Sequence, residues 1–305
     1  MEGTQQEQQA PELVVSVVIV SRNCVQALRK CVAAIERSKA VETIEVIVAD
    51  NASSDGSAGI DAEFQRVAPL RLQHHVGLTK ARNIALRTAR AEYLLLLSPD
   101  VEVEPTTIGS LVERIRAEPS AFAVCPMLVD AAGNPVSKAA KLPTADQVAA
   151  AWRDPSELLA SAPPGPVELH DGKALLIRRH TLQGINYLDE RYGEHWGDVE
   201  LAFQIRRAGK KIVIADDIRA RLNTQDSLWQ PTEAYEKAAY AYDAANGAAA
   251  YIAKHNGFAA GLGFRLKMVL GALGRVLTFR EPGVNFGLLS GILSGSKIDG
   301  RDRSM

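Results

Sequence analysis

The apolar positions of this chain gather in short, nearly continuous runs separated by stretches of helical spacing. Val14–Val20 reads as a first strand, buried on both faces because almost every position is β-branched. After Ser21-Arg22-Asn23, with Asn23 as the expected N-cap, Leu28, Val32 and Ile35 recur on one helical face. Ile44–Ala49 predicts the second strand. Ile60, Phe64 and Val67 predict a second helix, and Leu70–Gln73 a short third strand. Thr79 opens a helix carrying Ala81, Ile84, Ala85 and Thr88, and Leu94–Leu97 forms the fourth strand. Pro105 marks a helix start ahead of Ile108, Leu111, Val112 and Ile115. This alternation predicts an α/β fold: a mostly parallel central sheet flanked by helices on both faces.

The segment 130–172 breaks the rhythm. It is rich in Pro, Ala, Asp and Gly, including Pro163-Pro164-Gly165-Pro166, and predicts a mobile loop around one short helix. Order returns with a strand at Ala174–Arg178. A helix follows from Asp198, with Leu201, Ile205 and Ala208 inward and Gly209 at its end, and then a strand at Lys211–Ala215. From Pro231 onward the pattern is helical, with Tyr235, Ala239 and Tyr242 as one stripe. The expected organisation is a disordered tail over 1–12, an α/β domain over 13–230 with halves 13–125 and 126–230, and a helical C-terminal extension over 231–305.

With 47% hydrophobic residues the chain can bury a full core, and a net charge of −1 argues against nucleic acid as a partner. Cys24, Cys31 and Cys125 have neither zinc nor disulfide spacing and read as small buried apolar residues in a reducing compartment. The polar, Gln-rich start has no signal-peptide core, and no apolar run reaches the roughly 20 residues of a spanning helix. The expected location is cytoplasmic.

No Gly-x-Gly-x-x-Gly follows the first strand, no Walker-type Gly-Lys-Ser/Thr is present, and no Gly-x-Ser-x-Gly elbow occurs. What remains is a set of carboxylates at strand and helix ends: Asp50, Asp55, Asp100 and Asp198. The second strand stops in Asp50-Asn51-Ala52-Ser53-Ser54-Asp55-Gly56-Ser57, and the fourth in Ser98-Pro99-Asp100. In open α/β sheets ligands bind at the carboxyl ends of strands, so this pair suggests a nucleotide site followed by a metal or diphosphate site. The plainer alternatives are a turn with a helix cap at Asp50–Asp55, a loop aspartate at Asp100, and an N-cap at Asp198. His74-His75 have no partners at metal spacing and read as loop residues.

Four stretches in order carry a wider pattern: 16–23, 46–57, 91–103, and Leu188-Asp189-Glu190-Arg191 through Trp196-Gly197-Asp198-Val199-Glu200-Leu201 to Gly209. Together they resemble the family 2 glycosyltransferases of the Rossmann-like GT-A fold, in particular their bacterial rhamnosyltransferase-like branch. The resemblance implies inverting hexosyl transfer from a nucleotide-diphosphate sugar to a glycan or lipid-linked acceptor in cell-surface polysaccharide synthesis. dTDP-rhamnose and UDP-sugars are candidate donors, and GDP-sugars stay open. The first half of the domain would bind the nucleotide and the second the acceptor. Asp50 would accept from the nucleobase, with Ser21, Asn23, Asn51 and Ser53 around base and ribose, and Gly77 and Arg82 near ribose and diphosphate. Ser98, Pro99 and Asp100 would face the diphosphate, Asp100 holding Mg²⁺ or Mn²⁺. Asp198 would be the general base, on the sugar face opposite the leaving group.

The chain departs from that pattern at four places. Ser98 stands at the first aspartate of the metal motif, Gly197 at the glutamate before the base (with Glu194 nearby), and Gln204 at a helical arginine. Leu222, Asn223 and Thr224 occupy the region where a histidine is common. These departures motivate the alternative of a catalytically impaired sugar-nucleotide-binding or scaffold protein that retains the GT-A fold. A nucleotidyltransferase would want a Gly-rich basic loop after the first strand, which Ser21-Arg22-Asn23-Cys24 is not. Lastly, the apolar stretch 262–279 is threaded by Arg265, Lys267 and Arg275, with Arg280 following. It predicts either peripheral contact with the inner membrane face or a helix packed on the domain with a solvated basic edge.

Overall fold

The computed structural model describes residues 12–39, 41–223, 228 and 230–294. The expected N-terminal tail up to residue 11, Thr224 and the last residues of the C-terminal extension lie outside them. In chain order, β1 (Val15–Ser21), α1 (Val25–Glu36), β2 (Ile44–Asp50), β3 (Val67–Arg71), α2 (Leu78–Thr88) and β4 (Tyr93–Leu97) form the first half. β5 (Val101–Val103), α3 (Thr107–Ala117) and β6 (Ala121–Val129) follow. Short pieces come next: β7 (Lys138–Ala140), α4 (Ala145–Ala150), β8 (Ala160–Ser161), β9 (Gly165–Val167) and β10 (Leu169–His170). Then come β11 (Ala174–Arg178), α5 (Arg179–Gly184), α6 (Gly197–Arg207) and β12 (Lys211–Leu222). The helices α7 (Ala234–Asn256), α8 (Phe258–Leu277) and α9 (Pro282–Ser294) close the described chain.

The main sheet runs β3-β2-β1-β4-β11-β6-β12-β5, with β9 paired to β12. β3, β2, β1 and β4 are parallel, as are β6 and β12, whereas β11 is antiparallel to both its neighbours β4 and β6. Alternation splits each strand between two cores. Val15, Val17 and Ile19 join Leu28, Val32 and Ile35 of α1 and the buried face of α3 on one side. Val18, Ile47, Leu94 and Leu96 pack with Ala85 and Leu86 of α2 on the other. Each such Leu or Ile is worth about 1.5–3 kcal/mol when fully buried, which is why a continuous apolar run is stable only in a sheet covered twice. All three cysteines are free and buried.

Several elements differ from the sequence pattern. The expected helix at Ile60–Val67 is a 3₁₀ turn, Ser57–Ala62, and Val67 instead begins β3, where it pairs with Val46 of β2. Parallel pairing with a buried strand outweighs a weak helical spacing in a stretch that holds two glycines. Asn23 is not the N-cap of α1. Cys24 is, and Asn23 takes φ 45° one residue earlier. β6 is an unanticipated nine-residue strand, buried throughout. Pro126 within it reads as a breaker, and the neighbouring β12 shifts register between Ala215 and Arg219, where it passes from Pro126 to Met127. The stretch 130–172 has its short helix, α4, closed by a Thr144/Gln147 capping box, but it also builds a small β10-β7-β8 sheet. In α7 the buried stripe is Ala238, Tyr242, Ala245, Ala249 and Ile252, while Tyr235 and Ala239 are exposed.

Candidate active site

The carboxyl edge of the sheet gathers Ser21, Asp50 and the Ser98-Pro99-Asp100 turn, Ser21 and Asp50 being register partners across β1 and β2. Asp50 is 3% exposed. Its Oδ2 accepts the Ser53 amide at 3.0 Å, and its buried Oδ1 has no donor among the described residues. An unused carboxylate oxygen is an acceptor in search of an N–H. Asn23 knits the two loops: its amide donates to Ser53 Oγ at 3.0 Å, and its Oδ1 accepts the Ser54 amide at 2.7 Å. Asn51 has both ends of its side-chain amide on the backbone of Val76, at 2.7 and 2.9 Å, tying β2 to the loop before α2. Asp55 has a structural task. Its Oδ2 accepts the Val25 amide at 2.8 Å, capping α1 from thirty residues away, and Oδ1 accepts from Ser57. Burial pushes the Asp55 carboxyl up, but the bonds from Ser57 and Val25 outweigh it and hold the group below its ordinary value.

Gly77 opens α2 against another strand of backbone: a Cβ there would come within 2.6 Å of the Gly193 Cα, and Thr79 N donates to Gly193 O at 3.1 Å. This contact holds the start of α2 against the segment that leads into α6. Arg82, one turn on, reaches Asp198 Oδ1 at 2.7 Å and Gly172 O at 3.4 Å. Arg82 thus meets the expected base directly. Gly172, at φ 72°, backs the same carboxylate so closely that a Cβ would come within 2.5 Å of Asp198 Oδ2. A pocket of ≈190 Å³ opens beside Asp198, lined by Thr79, Arg82, Leu159, His170, His195 and Trp196 among others. His170 is 3% exposed, and its Nδ1 accepts the Gly172 amide at 3.2 Å. Burial lowers its pKa against the pull of Asp171 and Asp198, so the ring stays neutral at pH 7.

At the other carboxylate, Asp100 Oδ2 accepts from Lys173 Nζ at 2.5 Å, and its buried Oδ1 has no donor among the described residues. Among the described residues, what stands at Asp100 does not fit a resident divalent ion: the one carboxylate there is already neutralised by an ammonium, and Ser98 offers only an alcohol. Among the described residues no group of three or more His, Cys, Asp or Glu side chains converges on a metal position. Asn223, in the region where a histidine was sought, donates its backbone N–H to Asp100 O at 2.8 Å and its side-chain amide to Glu102 at 3.2 Å.

With strand order, edge carboxylates and pocket in place, the matches to known proteins become decisive. A family model described as Glycosyl transferase family 2 matches residues 16–182, more than half of the chain. The chain belongs to glycosyl transferase family 2. It is 27% identical over 199 residues to the N-acetylglucosaminyl-diphospho-decaprenol L-rhamnosyltransferase of Mycobacterium tuberculosis, covering 54% of this chain and 62% of that one. The chain therefore spans less than two thirds of that relative's length. Among solved structures it resembles the mannosyltransferase PcManGT of Pyrobaculum calidifontis in complex with GDP-Man and Mn²⁺, at TM-score 0.52 and 15% identity over 93% of this chain and 86% of that one. It also resembles TarS 1-349 of S. aureus in complex with UDP-GlcNAc, at TM-score 0.52 and 13% identity over 93% of each chain. These likenesses agree with the topology in giving the GT-A fold that the motif stretches imply.

Two departures from the family 2 pattern have local structural reasons. Gly197 lies against α2, where a Cβ would come within 2.5 Å of Thr79 Oγ1. Gln204 donates to Glu200 Oε1 at 2.5 Å, and the further partners of that glutamate come from α7 instead: Lys254 Nζ at 2.6 Å and His255 Nε2 at 2.8 Å. Trp196, at φ 71° and 1% exposed, precedes Gly197, and Gly247 of α7 makes room for its indole. Glu194 pairs with His75 at 2.7 Å. Sequence reasoning missed Lys173 at Asp100 and, separately, the Glu200, Lys254 and His255 cluster, since neither pairing leaves a mark in the spacing along the chain.

Proposed function

We propose that this family 2 member is an inverting glycosyltransferase that takes a sugar from a nucleotide-diphosphate donor. The observation that carries the reading is one edge that holds an open acceptor at Asp50 and, beside a pocket, a carboxylate at Asp198 oriented by Arg82 and Gly172. Asp50 Oδ1 accepts a nucleobase N–H, and Ser21, Asn23 and Ser53 shape the loop around it. Asn51 and Gly77 act through the backbone they fix, and the Ser98-Pro99-Asp100 turn lies under the diphosphate. Asp198 takes the proton of the acceptor hydroxyl as that oxygen attacks the anomeric carbon, while the anomeric C–O bond breaks and its electron pair leaves with the nucleoside diphosphate. Mg²⁺ or Mn²⁺, implied by the family resemblance, would be held at Asp100 and would supply charge to the diphosphate, but it would meet a carboxylate already engaged by Lys173. Gly197 fits closely against Thr79 and Gln204 bonds Glu200, so both departures from the family pattern have structural reasons of their own and do not by themselves mark an impaired scaffold. The test is release of nucleoside diphosphate from UDP-, dTDP- and GDP-sugars. One donor family hydrolysed slowly without acceptor is expected, and no release from any donor sinks the reading.

The acceptor side is read from α8. Among the described residues no helix is long and apolar enough to cross a membrane. Yet Phe258, Leu262, Leu266, Leu270, Leu273 and Leu277 are all exposed, three or four residues apart, opposite the buried Phe264, Met268 and Ala272. On the helical wheel Arg265 and Lys267 flank this stripe on either side. An apolar face edged with cations suits an anionic bilayer surface, where a lipid-linked glycan acceptor would lie. We expect the protein to float with vesicles containing anionic lipid and Leu266→Glu/Leu270→Glu to stay in the soluble fraction. Equal flotation of both, or none for the unaltered chain, removes the membrane contact.

A further inference from the structure

Lys173 belongs to none of the motif stretches, and its position depends on strand direction. β11 runs antiparallel to β4, so the start of β11, not its end, comes to the carboxyl edge of the sheet. Lys173 stands one residue before Ala174, the register partner of Leu97, and Ser98 N donates to Lys173 O at 2.7 Å. The backbone is thereby pinned against the Ser98-Pro99-Asp100 turn. The ammonium lies on Asp100 Oδ2 at 2.5 Å, with the lysine side chain 28% exposed and the aspartate 9%. The carboxylate is thus enclosed by protein, while the lysine side chain is partly open to solvent. Of its three N–H donors, Asp100 takes one. On the other side, the preceding residue Gly172 touches both members of the Asp198–Arg82 pair. A single short segment therefore spans the interval between the two carboxylates of the proposed reaction.

We propose that Lys173 is a tethered cation in place of a divalent metal ion at Asp100, and that its ammonium receives the departing diphosphate. This rests on the nucleotide-sugar reading of the site. As the anomeric C–O bond breaks, its electron pair becomes negative charge on the distal phosphate of the nucleoside diphosphate. The acceptor oxygen forms the new bond to carbon and its proton goes to Asp198. Lys173 keeps its own proton and contributes charge and the N–H donors that have no partner among the described residues. Asp100 is then a positioning residue: with one oxygen on the ammonium and the other buried, it fixes where the positive charge sits. A dication entering the same carboxylate would meet that charge at close range, which disfavours it.

The experiment is calorimetric titration of UDP, dTDP and GDP into the full chain, in EDTA and in Mn²⁺, for the unaltered protein, Lys173→Met and Lys173→Arg. One nucleotide should bind in EDTA, with an affinity that Mn²⁺ changes by less than about threefold. Lys173→Met should weaken it at least about tenfold, the size of a lost charge-assisted hydrogen bond, and Mn²⁺ should restore part of the loss. Lys173→Arg should retain most of the affinity, which separates lost charge from lost fold. Binding of the unaltered chain only in Mn²⁺, or unaltered affinity in Lys173→Met, overturns the tethered cation and leaves the nucleotide-sugar site standing. No binding of any nucleotide in either condition overturns the site reading and the inference with it.

Discussion

Asp198→Asn abolishes sugar transfer, lowering kcat by about 10³-fold or more, and leaves nucleotide affinity within about twofold. The substitution is isosteric, and an amide oxygen can still accept from Arg82, so the local geometry survives. What is lost is the ability to take a proton and the negative charge that faces Arg82. The competing view of Asp198, a helix cap, makes a different forecast. The N-cap of α6 is Trp196, and no side chain caps the first turn. Asp198 therefore supports the helix through its charge near the amino end, worth about 0.3–1 kcal/mol, beside its bond from Arg82, which asparagine can still accept. A loss of three orders in kcat with less than about 1 kcal/mol of stability change assigns the residue to the chemistry. Turnover within about tenfold of the unaltered protein would move the base elsewhere. Nucleotide titration and single-turnover transfer on the same preparation separate the two effects.

Glu200→Ala destabilises the fold by about 3–5 kcal/mol, because it breaks a buried charged cluster by removing its only anion in full burial. The Glu200 side chain is 2% exposed and holds Lys254 at 2.6 Å, His255 at 2.8 Å, Gln204 at 2.5 Å and the Tyr192 hydroxyl at 3.1 Å. Among the described residues, alanine leaves Lys254 with Asp189, at 3.1 Å, and takes the Glu200 acceptor from His255, whose ring lies tilted between Phe203 and Tyr251. The melting temperature should fall by roughly 5–10 °C. Because α6 carries Asp198, kcat should fall too, with nucleotide affinity little changed. Burial pushes the Glu200 carboxyl up, yet the hydrogen bonds from Lys254, Gln204 and His255 prevail, so its folded pKa lies below the usual 4.5. A carboxyl depressed on folding adds stability above its unfolded pKa, and that stability is lost as pH falls through the folded value. Acid titration of unfolding should thus show a loss below about pH 4.5 that Glu200→Ala lacks. A variant that melts and titrates like the unaltered chain would remove the clamp.

The first half of this architecture was readable from apolar spacing because parallel strands covered on both faces have to be continuously apolar. β1, β2 and β4 therefore stand in the sequence almost at their observed bounds, and the polar clusters that end them mark the ligand edge. Asp50, Asp100 and Asp198 were legible for the same reason: a charge directly after an apolar run is easy to see. β6 was not legible, since Pro126 reads as a breaker when its bulged neighbour is unknown. The 3₁₀ turn before β3 was hidden by three apolar residues that happen to fit a helical period.

What the chain by itself determined is the layered α/β plan, the carboxyl edge of the sheet as the candidate site, and the carboxylates delivered to it, all set by local periodicity and local polarity. The tertiary structure decided partnership. The antiparallel direction of β11 brought Lys173 onto Asp100, and the close approach of α2 put Arg82 on Asp198. The packing of α7 on α6 supplied Lys254 and His255 to Glu200. Each of these contacts joins residues more than fifty positions apart. Spacing along the chain carries no record of such pairs, because strand direction and helix docking are fixed by the summed burial of the whole core and not by any local run.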